Sequence, residues 1–141
     1  TKGVDADIAD FVNKANLPQT VKFAKEFAKK TGSVIVITSA IDIVADSKTA
    51  YCIHNGDAMM SRITGSGCQL SAMMAAYISA NKEDTLKAAL ACVCAMGLCG
   101  EIAQKRMSEQ DGNSTYRNYL IDAVYNLSPE DLEKGARYEI G

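Results

Sequence analysis

The sequence predicts an α/β fold in which helices cover both faces of a sheet. Three observations lead to this prediction: one helix-like segment comes first, three strand-like segments follow it closely, and the rest of the chain is helical in pattern. A continuous β-branched run at residues 34–37 favours a strand that is buried on both faces, as in a parallel sheet. The next two strands follow after short connections, which favour antiparallel pairing, so we expect a mixed sheet.

The first helix is predicted between Asn16 and Gly32. Leu17 and Pro18 suit a first turn, and Gly32 suits the C-terminal cap. Apolar side chains recur on one helical face, and charged side chains lie mostly on the other. The first group is Phe23, Ala24, Phe27 and Ala28, and the second is Lys22, Lys25, Glu26, Lys29 and Lys30. We interpret the basic residues as a solvated face and not as a binding patch.

The second and third strands are predicted at residues 41–45 and 49–53. The third strand shows alternation and ends before Asn55-Gly56, a turn signal. Helical spacing begins at Gly67 and places five apolar side chains on one face. They are Leu70, Met73, Met74, Tyr77 and Ile78.

A long central helix is predicted from a cap at Asp84 to about Met107. Its most apolar stretch, residues 88–100, is shorter than the roughly 20 residues that a membrane-spanning helix needs. We therefore interpret it as the buried helix of a soluble protein.

Two more helices are predicted after it. Ser114 is the expected cap of the first, whose apolar stripe comprises Tyr116, Tyr119, Leu120, Ala123, Val124 and Leu127. Ser128 and Pro129, followed by acidic residues, have the pattern of the start of the last helix.

The composition is that of an ordinary folded domain. The 141 residues include 15 Lys+Arg and 17 Asp+Glu, which gives a net charge of −2, and 48% are hydrophobic. This length fits one domain with a sizeable core. The balance of charge gives no electrostatic reason to expect nucleic acid or an anionic membrane as a partner. Because the chain opens without an initiator Met or a signal-peptide core, we expect a processed or truncated piece.

The five cysteines are an odd number, which excludes a complete intramolecular disulfide framework. Cys92, Cys94 and Cys99 lie in an apolar run and Cys52 in a strand-like one, so we interpret them as buried thiols of a reduced cytosolic protein. A zinc site is disfavoured because no second Cys pair accompanies them and His54 is the single histidine.

Residues 63–70, ITGSGCQL, combine features of a catalytic loop. Gly65 and Gly67 flank Ser66, and an apolar helix follows at once. Glycines let backbone N–H groups converge, and a helix N-terminus adds a partial positive charge, so an anion such as a transferring phosphoryl group fits there. The same position favours the thiolate of Cys68.

These residues alone leave two interpretations of the loop equally open, anion binding and a plain tight turn. The segment is neither the GxxxxGK[ST] phosphate loop nor the GxGxxG dinucleotide motif. A cysteine hydrolase is disfavoured, because His54 is the one imidazole available and nothing in the sequence places it near Cys68.

Several separate motifs in the right order resemble the hydroxyethylthiazole kinases, thiamin-salvage enzymes of the ribokinase-like superfamily. They lie at residues 3–5 (Gly-Val-Asp), 34–42 (strand, Thr, turn, Asp), 55–56, 63–68, 100–103, 112–116 and 120–125. The resemblance covers nearly the whole chain and corresponds to the C-terminal half of the family. It implies a ribokinase-like three-layer α/β/α fold with a mixed, mostly parallel sheet, in which residues 1–141 form the C-terminal part of a single kinase domain.

The resemblance also implies a reaction and a site. The family phosphorylates the hydroxyl of 4-methyl-5-(2-hydroxyethyl)thiazole with ATP and Mg²⁺, as cytoplasmic trimers with active sites between subunits. Cys68 is implied to orient the alcohol and to accept its proton late. The amides of Gly65, Ser66 and Gly67 would form an anion hole, with Gly65 also contacting the substrate, and Thr38 would contact ATP at a strand end.

Simpler interpretations stay open for several residues. Thr38 would then be an ordinary strand-terminal residue, Asp42 a turn or capping residue, and Arg62 a surface charge. The sequence also departs from the family pattern, because Ser39 replaces a Gly and Ala40 a common acidic residue. These changes put the local turn in question.

Asn113 and Ser114 replace a Pro and a Gly, so we expect less rigidity near the nucleotide end. The family's Mg²⁺ and thiazole ligands belong to its N-terminal half, so no metal ligand is assigned to this chain and the chain alone is expected to be inactive. Two other hypotheses are a ribokinase-like kinase of another small alcohol or vitamin, which usually has Asp where Cys68 stands, and a non-catalytic oligomerising fragment.

Overall fold

The computed structural model describes Val12 and residues 15–141. The match at residues 3–5 lies outside this part of the chain. The described residues form the helices α1 (Leu17–Thr31), α2 (Ser66–Ala80), α3 (Thr85–Arg106), α4 (Asn113–Asn126) and α5 (Pro129–Gly135), and the strands β1 (Ile35–Ile37), β2 (Asp42–Ala45), β3 (Ala50–Ile53) and β4 (Tyr138–Ile140). A 3₁₀-helical turn, Ala58–Arg62, lies between β3 and α2.

The four strands form one sheet in the order β1-β2-β3-β4, and its three pairings are antiparallel. The parallel pairs that the sequence predicted are therefore not among the described strands. Residues 34–37 are covered on both faces as predicted, since Ile35 and Ile37 pack against one apolar cluster and Val34 and Val36 against the other. The side chains of β1 are only half-buried, however, because this strand lies at the edge of the described sheet.

Helices cover both faces of the sheet, so the three-layer α/β/α arrangement is confirmed. Ile43 and Ala45 of β2 pack with Val21 and Ala24 of α1 on one face. Val44, between them in the strand, packs with α3 on the opposite face. This alternation follows from the two-residue period of a strand.

α1 begins and ends as predicted, with Gly32 in a left-handed conformation (φ 68°) as its cap. Its buried side chains are Val21, Ala24 and Ala28. Phe23 and Phe27, which were expected on the buried face, are 47% and 40% exposed and stack on each other, with ring centroids 5.8 Å apart. The small alanines let the helix approach the sheet, which leaves the two rings at its flank.

α3 is the central helix that the sequence predicted. The Asp84 side chain accepts a hydrogen bond from the Lys87 N–H at its start. By length and composition alone α3 is apolar enough to cross a membrane, but most of its apolar part is buried inside the fold, and core helices pass the same test. On its flank, the buried Tyr116 hydroxyl of α4 donates to the Gly100 carbonyl at 3.0 Å.

The last elements were predicted in part. α5 has the expected cap, in which Ser128 and Asp131 form a reciprocal capping box. α4 starts earlier than predicted, because Gly112 is its N-cap and Ser114 lies inside the first turn. β4 was not predicted: it has three residues and is extended because it pairs with β3.

Candidate active site

A cavity of about 540 Å³ lies at one end of the sheet. The C-terminus of β1, the N-terminus of β2 and the C-terminus of β3 meet at this end. Its walls come from the β1–β2 connection, the segment after β3, the start of α2, and the middle of α3. They include Thr38, Ser39, Ala40, Asp42, His54, Asn55, Gly56, Asp57, Ser66, Gly67, Val93 and Gly97. The fold thus brings Thr38 to the same cavity as Ser66 and Gly67. Gly65 and Cys68 are the sequence neighbours of Ser66 and Gly67, but they do not line the cavity.

The glycine loop forms the start of α2. Gly65 is its N-cap and has a left-handed backbone (φ 96°), a conformation that glycine adopts without strain. The Ser66 hydroxyl donates to the Met60 carbonyl at 3.3 Å, which ties the loop to the 3₁₀ turn before it. The first N–H groups of a helix have no intrahelical acceptor, so the turn at residues 65–68 offers donors suited to an anion.

Cys68 lies in this first turn and is exposed, whereas the other four cysteines are buried and every cysteine is free. Burial raises the pKa of the Cys92, Cys94 and Cys99 thiols to about 11 each, and it also raises the pKa of Cys52. The interpretation of these four as buried thiols is confirmed.

Alkylation is therefore expected to be selective. Iodoacetamide at neutral pH should modify Cys68 alone in the folded protein, because the buried thiols are inaccessible and their thiolates are disfavoured. Mass spectrometry with and without urea checks this, and Cys68→Ser is the control that should abolish labelling of the folded state. Labelling of a second thiol at a similar rate without urea would contradict the assignment.

Asp42 holds the turn after β1. Its Oδ1 accepts the Ser39 N–H at 2.7 Å, which confirms the simpler interpretation of this residue as a turn cap. Burial raises the pKa of Asp42 to about 6, and the hydrogen bond from Ser39 opposes part of this rise. The Ser39 hydroxyl accepts the Val12 N–H at 2.7 Å. The Ser that departs from the family pattern therefore fastens the turn that carries Thr38.

The other departures have local consequences. Ala40 lines the cavity without contributing a polar group. The Asn113 side-chain amide donates to the Arg62 carbonyl at 3.0 Å, which links the start of α4 to the residue before the glycine loop.

Asn55 is a site residue whose role the sequence did not indicate. It was expected in a hairpin turn, but the chain there runs without a turn into the 3₁₀ segment. Asn55 is 6% exposed. Its Nδ2 donates to Glu101 Oε1 at 3.1 Å and to the Gly135 carbonyl at 2.9 Å, and its Oδ1 accepts the Arg137 N–H at 2.7 Å.

Glu101 of α3 is the centre of this network. It also accepts the Gly56 N–H at 2.8 Å and two guanidinium N–H groups of Arg137, at 2.9 Å and 2.8 Å. Burial alone would raise the pKa of Glu101, but the hydrogen bonds from Arg137, Gly56 and Asn55 outweigh it and hold the pKa below its usual value. Residues 55–56 and 100–103 were noted in the sequence only as motif matches, and neither match indicated that Asn55 and Glu101 would be in contact.

Comparison with known proteins gives the same family as the motifs. The model of the hydroxyethylthiazole kinase family matches residues 1–130. A hydroxyethylthiazole kinase of Clostridium acetobutylicum is 59% identical over 139 residues, which cover 99% of this chain and 51% of that protein. Hydroxyethylthiazole kinase 2 of Methanosphaera stadtmanae is 35% identical over 141 residues, or 99% of this chain and 49% of that protein.

A solved structure supports the fold. A hydroxyethylthiazole kinase protein from Pyrococcus horikoshii OT3 is similar with a TM-score of 0.78 at 21% identity, over 90% of this chain and 48% of that one. The chain spans about half the length of the curated relatives it matches. On the match to the family model and to these relatives, this chain belongs to the hydroxyethylthiazole kinase family.

Proposed function

We propose that the protein carrying this chain transfers the γ-phosphoryl group of ATP to the hydroxyl of 4-methyl-5-(2-hydroxyethyl)thiazole, a step of thiamin salvage. The observation that supports this most directly is the meeting of Thr38 with Ser66 and Gly67 at one cavity. Nucleotide and acceptor would then bind at the end of the sheet, where open α/β sheets collect ligands.

The glycine loop is proposed to bind the phosphoryl group during transfer. Negative charge spreads over the equatorial oxygens of this group, and preorganised N–H donors stabilise it without rearrangement. The amides of Gly65, Ser66 and Gly67 would supply these donors, and Gly65 would also contact the thiazole alcohol. The positive end of the α2 dipole adds to the same effect.

Cys68 is proposed to orient the acceptor hydroxyl and to accept its proton late in the reaction. Its exposure in the first turn of α2 leaves its thiol accessible to a substrate. A strong base is unnecessary, because a loose phosphoryl transfer depends mainly on alignment and charge stabilisation.

Thr38 is proposed to contact ATP, because it lines the same cavity as Ser66 and Gly67. When bound, Mg²⁺ would neutralise charge on the phosphates of ATP. Within Val12 and residues 15–141, no group of three or more His, Cys, Asp or Glu side chains could hold a metal ion. The described residues therefore do not fit a complete Mg²⁺ site, and we assign them no step through the metal.

The complete enzyme is proposed to be a cytoplasmic trimer with active sites between subunits. Exposed apolar side chains, among them Phe23, Phe27 and Ile140, support contact with further protein surface. Because the chain spans about half of its relatives, we expect it to be inactive alone.

The test is an ATP-dependent phosphorylation assay with the thiazole alcohol, run on the full gene product that contains this chain and on the 141-residue chain alone. The full product is expected to phosphorylate the thiazole and the chain alone is not. A full product that ignores the thiazole and phosphorylates another small alcohol or a vitamin would contradict the proposed substrate.

Replacement of Cys68 distinguishes its roles. Cys68→Asp in the full gene product is expected to retain or raise kcat, because a carboxylate in the first turn of α2 can orient the alcohol and accept its proton. Cys68→Asn is the matched control, of similar size but without a proton acceptor of that strength, and it should be slower than Cys68→Asp. Complete loss of activity in Cys68→Asp would contradict a role limited to orientation and late proton acceptance.

A further inference from the structure

We propose that Glu101 and Arg137 are positioning residues for ATP, because together they fix residues 54–57 as one wall of the cavity. This inference rests on the proposed function, in which ATP occupies that cavity. Neither residue lines the cavity, so both would act through the wall that they hold.

The wall lies just beyond the end of the sheet. β3 ends at Ile53, and the His54 N–H makes one more backbone hydrogen bond, to the Arg137 carbonyl at 2.9 Å. After His54 the wall segment is held by side chains. Its Gly56 has a positive φ of 130°. Glycine adopts positive and negative φ about equally readily, so the backbone of this residue does not by itself fix the wall and hydrogen bonds from outside must do so.

Glu101 provides that support by accepting four hydrogen bonds. Two come from the wall itself, from Asn55 Nδ2 and Gly56 N, and two come from the Arg137 guanidinium. Arg137 also donates to the His54 carbonyl at 2.9 Å. The planar guanidinium thus joins the carboxylate to the backbone of the wall, a geometry that a lysine cannot reproduce.

The same wall leads to the glycine loop. Asp57 caps the 3₁₀ turn by accepting the Met59 N–H at 2.8 Å, and the Met60 carbonyl of that turn accepts the Ser66 hydroxyl. Glu101 and Arg137 contribute to none of the three buried apolar clusters. Loss of their ion pair is therefore expected to loosen the wall while the core stays packed.

The experiment uses Glu101→Gln and Arg137→Gln in the full gene product, with steady-state kinetics and amide hydrogen exchange as readouts. Both variants are expected to raise KM for ATP about tenfold while kcat changes less than about threefold, because the wall positions a ligand without touching the reacting atoms. Amide exchange at residues 54–57 should become faster. Arg137→Lys should rescue KM only in part.

Lys87→Gln is the matched control. It removes an ion pair with Asp84 at 3.0 Å, at the start of α3 and away from the cavity lining. This variant should leave KM for ATP and exchange at residues 54–57 unchanged.

Several outcomes would overturn the positioning role. Faster exchange with an unchanged KM for ATP would make the ion pair purely structural, and unchanged exchange would show that it does not hold the wall. An unaltered protein that does not use ATP would overturn the proposed function and this role together. A functional unaltered protein with unaffected variants would overturn the positioning role alone.

Discussion

Gly97→Ala is expected to lower the free energy of unfolding by about 3 kcal/mol or more, as overpacking against a backbone does. A Cβ at this position would lie 2.7 Å from the Asn55 Cβ and 2.8 Å from the Asn55 carbonyl carbon. Asn55 cannot shift easily to make room for this Cβ, because its side chain makes three hydrogen bonds. Their partners are Glu101 of α3, Gly135 of α5 and the backbone N–H of Arg137. Urea unfolding of the full gene product measures the change.

Gly67→Ala is the matched control for this substitution. A Cβ at Gly67 would meet nothing within 4 Å, so the change in stability should be neutral or a gain of up to about 1 kcal/mol from reduced freedom of the unfolded chain. If Gly97→Ala is as stable as Gly67→Ala, the protein does not have the close contact between Gly97 of α3 and Asn55 of the cavity wall that the structure shows.

Asp42→Asn is expected to raise the free energy of unfolding at neutral pH by about 3 kcal/mol, since one pKa unit corresponds to about 1.4 kcal/mol. Burial raises the folded-state pKa of Asp42 from 3.8 to about 6. The folded state therefore binds more protons than the unfolded state between these two values. The contribution of Asp42 to stability should fall as pH rises from about 4 to about 6 and then level off. Asparagine still accepts the Ser39 N–H and should remove this contribution, so Asp42→Asn should gain stability relative to the unaltered protein over this range.

Asp46→Asn is the control, and it is expected to lower the free energy of unfolding at neutral pH where Asp42→Asn raises it. Hydrogen bonds from the Thr49 and Lys48 N–H groups lower the pKa of Asp46, so its carboxylate contributes stability above its unfolded pKa that is lost as pH falls. Urea midpoints from about pH 2 to 8 compare the three proteins, because the contribution of Asp46 is lost below its unfolded pKa of 3.8. Parallel pH profiles for the unaltered protein and Asp42→Asn would contradict the raised pKa.

Local signals were sufficient for the elements whose ends depend on neighbouring residues. Gly32, Asp84 and Ser128 each mark a helix end through a backbone conformation or a side-chain cap, and each prediction is confirmed. The start of α4 was misplaced because Gly112 precedes Ser114 and begins the helix without a side-chain cap. β4 was missed because its extended form depends on pairing with β3, far away in the sequence.

The candidate site also has one part that local sequence predicts and another that depends on contacts between distant residues. The glycine loop is contiguous, so its start at Gly65 is readable from the sequence, and the resemblance to the family added Thr38. The Asn55, Glu101 and Arg137 network joins residues 46, 36 and 82 positions apart, and no local pattern encodes such a contact. Burial of Asp42, which changes its pKa, likewise depends on packing across the sheet.

The buried thiols of α3 determine how fast oxidation would inactivate the folded protein. Cys92, Cys94 and Cys99 meet an oxidant only when the helices around them separate. A sulfinic acid formed in that moment is charged and cannot return to an apolar interior, so the opening becomes permanent. The lifetime of the protein under oxidising conditions would then report how often its central helix is uncovered, a kinetic property that equilibrium stability alone does not give.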